Sequence, residues 1–156
     1  MHAMLARSAM RPALARAGWR CFSSSGSPAG QLYICGTGES NKLGLGEGDT
    51  SDRETPTLVG ALEGVPVVQV SCGRYHTAAL SADGDVYAWG LESSGQLGLG
   101  SARTKAPVPT KVEALSSIGV KALSCGLYHT LALTEAGEVY SCGFGGSFLN
   151  GVGGLG

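Results

Sequence analysis

The chain has 156 residues, with 11 basic and 12 acidic side chains, a formal net charge of -1, 43% hydrophobic residues and 26 glycines. That hydrophobic content excludes a disordered chain, and no run approaches the roughly 18 consecutive apolar residues of a membrane-spanning helix. The near-neutral balance hides an asymmetry: the first thirty positions hold Arg7, Arg11, Arg16 and Arg20 with no acid, leaving seven basic against 12 acidic residues in the remainder.

Residues 1–22 read as a mitochondrial transit peptide, being Arg-rich, Ser-bearing and free of acids. A secretory signal needs an uninterrupted apolar core, and the arginines break every apolar run. On a helix, Leu5, Met10, Leu14 and Ala17 share one side while the arginines spread over the other, which suits an anionic membrane and import receptors. Arg20-Cys21-Phe22-Ser23 is similar to a mitochondrial processing site, with cleavage expected after Phe22 and residues 23–29 as a linker. The expected location is the matrix; a plastid address is the rival, and a nuclear or cytosolic one follows if the leader does not function. Of five cysteines, Cys21 lies in the leader and Cys35, Cys72, Cys125 and Cys142 fall at strand positions, a pattern of a reducing compartment rather than a disulfide framework.

Residues 30–156 are organised by repetition. SCGRYHTAALSADGDVYAWG (Ser71 to Gly90) returns 53 residues later as SCGLYHTLALTEAGEVYSCG (Ser124 to Gly143), identical at 12 of 20 positions. Gly30 to Gly36 (GQLYICG) precedes its echo at Gly84 to Gly90 by 54 residues, and KLGLGEG from Lys42 precedes QLGLGSA from Gln96 by the same interval. Pro56-Thr57-Leu58-Val59 likewise matches Pro109-Thr110-Lys111-Val112. A period near fifty residues marks an array of supersecondary units, each too small to bury its apolar face alone.

Each unit predicts four short strands. In the central one, Asp83-Gly84 launches a strand over Asp85 to Trp89, because both turn residues tolerate positive φ. Pro109 to Val112 follows as a short strand that its proline confines to a start or an edge. Val120 to Cys125 alternates Val120, Ala122 and Ser124 against Lys121, Leu123 and Cys125, and Thr130 to Leu133 is apolar enough to be buried on both faces. Four antiparallel strands per unit make an all-β array, a β-propeller if the units stack radially.

CGxxHTxAL, DGxVYxWG and GQLGLG in linked register resemble the regulator-of-chromosome-condensation repeat family, over essentially all of Gly30 to Gly156. The resemblance implies a seven-bladed β-propeller of which this chain supplies two complete repeats and the start of a third. Its repeat motif falls on Cys72, Gly73, His76, Thr77, Gly84, Trp89 and Gly90, then on Cys125, Gly126, His129, Thr130, Gly137 and Gly143. The family resemblance also implies that the motif histidine is an internal hydrogen-bonding residue. Since such arrays need about three or more units, the chain is expected to be an N-terminal fragment of a longer propeller, or otherwise to self-associate.

Chemistry-bearing alternatives fail on spacing. Cys72 with His76 and Cys125 with His129 sit at the same point of successive units and do not converge on a metal. Neither histidine has a recurring acid to orient it as a general base. Lys42 in GTGESNKLGLG lacks the GK-Ser/Thr order of a phosphate loop. The family's ultraviolet-B photoreceptor has tryptophans in the turn before the histidine, whereas here Arg74-Tyr75 and Leu127-Tyr128 stand there, which disfavours photoreception.

The function expected is therefore a non-catalytic, cofactor-free protein-interaction scaffold, acting through loops at one face. The stretches that differ most between units are Ser40 to Asp52 and Ser93 to Ala106, and the charged residues in and beside them, Glu47, Asp49, Asp52, Arg53, Glu54, Glu92, Arg103 and Lys105, are the expected partner contacts. The resemblance also implies an alternative, guanine-nucleotide exchange on a small GTPase, and a further one in organellar RNA or ribosome assembly. The acidic remainder argues against direct nucleic-acid contact.

Overall fold

A computed structural model of the chain describes residues 2–6, 30–100 and 104–145. The strands, in chain order, are β1 (His2–Ala6), β2 (Gln31–Gly36), β3 (Arg53–Leu58), β4 (Val67–Cys72), β5 (His76–Ser81), β6 (Val86–Leu91), β7 (Lys105–Lys111), β8 (Val120–Cys125), β9 (His129–Thr134) and β10 (Val139–Gly143). Short 3-10 turns at Glu39–Asn41, Gly60–Leu62 and Glu113–Leu115 are the helical elements among the described residues. Three antiparallel sheets result, in the orders β1-β2-β3, β4-β5-β6-β7 and β8-β9-β10.

The central sheet is the complete unit. Its turn at Asp83-Gly84 places Gly84 at φ 83°, a conformation a side chain disfavours. β7 begins at Lys105, four residues before the expected Pro109, and carries Pro107 and Pro109 on the sheet's edge, where a missing N–H costs no ladder bond. The expectation that Thr130 to Leu133 is buried on both faces is overturned: β9 is buried only at alternate positions, Thr130, Ala132 and Thr134, whereas its counterpart β5, in the complete sheet, is buried at every position.

Strict alternation in β8 is overturned. The pairing slips between Val120↔Thr134 and Ala122↔Leu133, so Val120 and Leu123 are buried while Ser124 is exposed. An extra residue in one strand resets which side chains face inward. β4 slips at the same place, between Val67 and Gln69, so the irregularity belongs to the repeat.

The leader is described only over His2–Ala6, and there it is a strand rather than the expected helix. β1 lies against β2 as β5 lies against β6, with Ala3 opposite Ile34 and Met4 opposite Tyr33. The edge of β2 would otherwise leave a row of backbone donors and acceptors open, and five residues of extended chain fill it. The processing site, Met10, Leu14 and Ala17 lie outside the described residues.

The sheets join through one continuous core, with Ile34, Val59, Val67, Ala78, Ala79 and Trp89 fully inaccessible. Gln69 on β4 reaches across to β8, donating from Nε2 to the Leu123 carbonyl and accepting from the Leu123 N–H, each at 2.9 Å. Ser71 Oγ accepts from the Cys125 N–H at 2.8 Å. The first strands of successive blades are thereby coupled in register.

Candidate functional face

In each blade the antiparallel order sends the turn after the first strand and the loop after the third to the same end of the sheet. The β4–β5 turn therefore shares a face with the β2–β3 and β6–β7 loops and the β8–β9 turn. The Leu91 N–H donates to the Tyr75 carbonyl at 2.9 Å, and the Phe144 N–H to the Tyr128 carbonyl at 2.8 Å, closing each strand end onto its turn. The Arg74 N–H donates to the Leu127 carbonyl at 3.3 Å, joining neighbouring turns directly.

Beneath this face the repeat motif forms a buried hydrogen-bond chain. Thr130 Oγ1 donates to the Gln96 carbonyl at 2.7 Å and lies 2.9 Å from His76 Nε2. A hydroxyl has one proton, which the Gln96 carbonyl takes, so His76 must donate from Nε2 and is the Nε2–H tautomer. Burial, reinforced by His129, depresses the His76 pKa to about 4, keeping the ring neutral. One unit earlier, Thr77 Oγ1 donates to the Lys42 carbonyl at 2.8 Å and Trp89 Nε1 donates to the same oxygen at 2.9 Å. These residues tie each long loop to the next blade. His76 is thus an internal structural donor, with its proton committed to Thr130.

Gly73 and Gly126 lie so close under the imidazoles of His76 and His129 that a Cβ would overlap them. Gly90 and Gly143 take φ 108° and 119° at the ends of β6 and β10, and Gly137 takes φ 85° in the β9–β10 turn. Cys125 Sγ sits 3.5 Å from the Ser71 carbonyl, between blades, and Cys72, its counterpart, ends β4.

On top of the chain lies an aromatic ladder. Tyr75 and Tyr128 have ring centroids 5.9 Å apart at 41°, and Tyr128 meets Phe144 at 6.5 Å and 68°. The Arg74 guanidinium is 5.1 Å from the Tyr75 centroid and the Lys42 ammonium 5.7 Å. Arg74 is exposed, as are Leu127 (62%) and Phe144 (42%). A cation on an aromatic face beside exposed apolar groups is chemistry that recognises a protein surface. Lys42 is buried and paired with Glu39 at 3.8 Å, which fixes it beneath the ladder.

The loop residues expected as contacts divide. Glu47, Glu54 and Lys105 are exposed. Asp49 pairs with Arg53 at 2.5 Å, and Asp52 Oδ1 accepts from the Gly38 N–H at 2.9 Å, so these three also shape their own loop. Glu92 is a correction: it is buried and accepts from the N–H groups of Leu97 at 2.5 Å and Leu99 at 3.3 Å. Its burial raises its pKa, and its role is to hold the LGLG turn. Arg103 lies outside the described residues. Tyr75 and Tyr128 recur 53 residues apart beside variable neighbours, and that recurrence is the signal for the ladder in the sequence.

The model of the Regulator of chromosome condensation (RCC1) repeat matches residues 29–80 and 83–133, and a second model of that repeat matches residues 67–96 and 120–148. Over 124 residues the chain is 38% identical to the Ultraviolet-B receptor UVR8 of Arabidopsis thaliana, covering 80% of this chain and 27% of the receptor. It is 37% identical over 134 residues to the RCC1 domain-containing protein RUG3, mitochondrial, of the same plant, covering 86% of this chain and 29% of that one. The crystal structure of Prp20p from Saccharomyces cerevisiae, described with its binding to Gsp1p and histones, is similar at a TM-score of 0.68 and 26% identity, covering 80% of this chain and 30% of Prp20p. The chain spans less than a third of the length of each. With the repeat matched twice in register and laid out as successive antiparallel blades, the chain belongs to the RCC1 repeat family and forms part of its β-propeller.

Proposed function

We propose that this chain is a non-catalytic protein-interaction unit of a mitochondrial protein, and that it engages its partner through the face carrying the Tyr75–Tyr128–Phe144 ladder. The observation that carries this reading is the ladder itself. It sets a guanidinium and two exposed apolar side chains on a rigid frame of inter-blade hydrogen bonds. Aromatic residues and arginine are the side chains enriched at interface hot spots. The Arg-rich, acid-free leader and the mitochondrial name of RUG3 support the location.

Proximity labelling in intact cells, comparing wild type with the triple variant Arg74→Ala, Leu127→Ala, Phe144→Ala, tests the proposal. These side chains are exposed, so the variant keeps its circular dichroism and loses only the Tyr128–Phe144 and Arg74–Tyr75 contacts, together about 1 to 2 kcal/mol. Mitochondrial neighbours labelled by wild type and lost from the folded variant are expected. An unchanged set would remove the ladder from the interface, and a non-mitochondrial set would remove the address.

The similarity to Prp20p, which binds Gsp1p, favours a second reading: exchange of guanine nucleotide on a small GTPase. Accelerated release of a fluorescent GDP analogue from a mitochondrial GTPase would establish it.

A further inference from the structure

The two blade junctions share most of their wall residues, and the exchange of Trp89 for Cys142 changes how they are filled. At the first, the Trp89 indole is wholly buried and rests on Gly44, where a Cβ would come within 2.6 Å of Nε1. At the second, Cys142 stands in the place of Trp89 and Gly98 in the place of Gly44. A cavity of about 180 Å³ opens there, between the Glu113–Leu115 turn and strands β9 and β10. Seven of its nine wall residues, among them Gly98, Val112, Thr130 and Tyr140, are identical to their counterparts 53 or 54 positions earlier. The two that differ are Ser141 for Ala88 and Cys142 for Trp89.

The second junction thus keeps the mould of an indole without the indole. Gly98 still presents no side chain; a Cβ there would stand 3.3 Å from Cys142 Sγ and 3.4 Å from Val112 Cγ1. The Gln96 carbonyl still occupies the position of the Lys42 carbonyl and receives Thr130 at 2.7 Å as Lys42 receives Thr77. Where the first junction adds an indole N–H at 2.9 Å, the second offers only the Cys142 thiol at 3.7 Å, a weak donor. Burial and the charge of Glu92 push the Cys142 pKa up to about 11, so the thiol stays neutral and the cavity wall uncharged. An apolar cavity of about 150 Å³ is large enough to take benzene.

The geometry points to a ligand site at the second blade junction for a small planar N–H heteroaromatic molecule of indole size, seated over Gly98 with its N–H toward the Gln96 carbonyl.

Titrating the full chain with indole, followed by amide and methyl NMR, tests this. Saturable shifts are expected at Gly98, Val112, Ala132 and Cys142 and not at the filled junction around Gly44 and Ala79. Benzofuran, of the same shape but without the N–H, should bind roughly fivefold to tenfold more weakly. Cys142→Trp rebuilds the side chain of the first junction and should abolish the shifts. Should that variant not fold, Cys142→Met, which fills part of the slot flexibly, should still weaken indole several-fold. Absence of saturable shifts in wild type, or unchanged binding in the folded Cys142 variants, would overturn the site. Equal binding of benzofuran would overturn the role given to the Gln96 carbonyl.

Discussion

His76 donates from Nε2 to a hydroxyl whose own proton is committed to Gln96, so protonation at Nδ1 would place a charge among buried groups near His129. Between its folded pKa of about 4 and its ordinary value near 6.5, the unfolded chain takes a proton that the folded chain refuses. Stability from this residue is therefore complete above about pH 6.5 and falls as the pH drops through that window, by up to about 3 kcal/mol. Urea midpoints at pH 7.5, 5.5 and 4.5 should decline accordingly in wild type. His76→Gln keeps an amide N–H for Thr130 but does not titrate, so its midpoints should lose most of that decline. An equally steep decline in the variant would assign the acid sensitivity to groups other than His76.

At the scale of elements, β4 is held to β8 by Ser71 and by one side chain that does not repeat. Gln69 makes both bonds to Leu123, and its counterpart one unit on is Ala122. Gln69→Leu should cost about 1 to 2 kcal/mol, since the Leu123 amide is only partly buried and water recovers some of the loss; a change below ~0.5 kcal/mol in urea denaturation would show that the apolar packing alone carries this contact. The same distinction governs what could be read in the sequence. Residues that recur, such as His76 with His129, Thr77 with Thr130 and Gly73 with Gly126, were legible because their job recurs: closing a turn and bonding the next blade. Gln69 and Lys42 were not, because their partners, a backbone amide and a tyrosine ring, lie in another blade that no local pattern indicates, and neither was Glu92, whose partners are backbone N–H groups of its own loop. Glu92 looked like a variable surface acid, yet the N–H groups of Leu97 and Leu99 drew it inside. The bulges in β4 and β8 escaped for a related reason: alternation in the sequence assumes an unbroken ladder.

For the whole molecule, the question is whether blades melt together or singly. Repeat arrays unfold as one unit only while the coupling between neighbours outweighs the difference in their intrinsic stabilities. Here the central blade buries Trp89 and all six positions of β5, whereas the last described sheet has a partly emptied junction and an exposed β10. That disparity favours separate melting. Opposing it are the hydrogen bonds that cross the junction: Gln69 with Leu123, Ser71 with Cys125, and the His76–Thr130–Gln96 chain. Several such bonds, each worth about 1 kcal/mol net, together with the shared core at Val120 and Leu123, hold the blades in one transition. Wild type should therefore give a single calorimetric transition whose van't Hoff and calorimetric enthalpies agree. The double variant Gln69→Leu, Thr130→Val removes the clamp and breaks the buried chain while leaving each sheet's own ladder intact. It should separate into two transitions, the lower one lost from the β8–β10 sheet, as read by amide exchange at Leu131 and Leu133. A single transition shifted downward as a whole would mean that the apolar junction couples the blades without these bonds, and that the aromatic ladder above them rests on packing rather than on the buried polar chain.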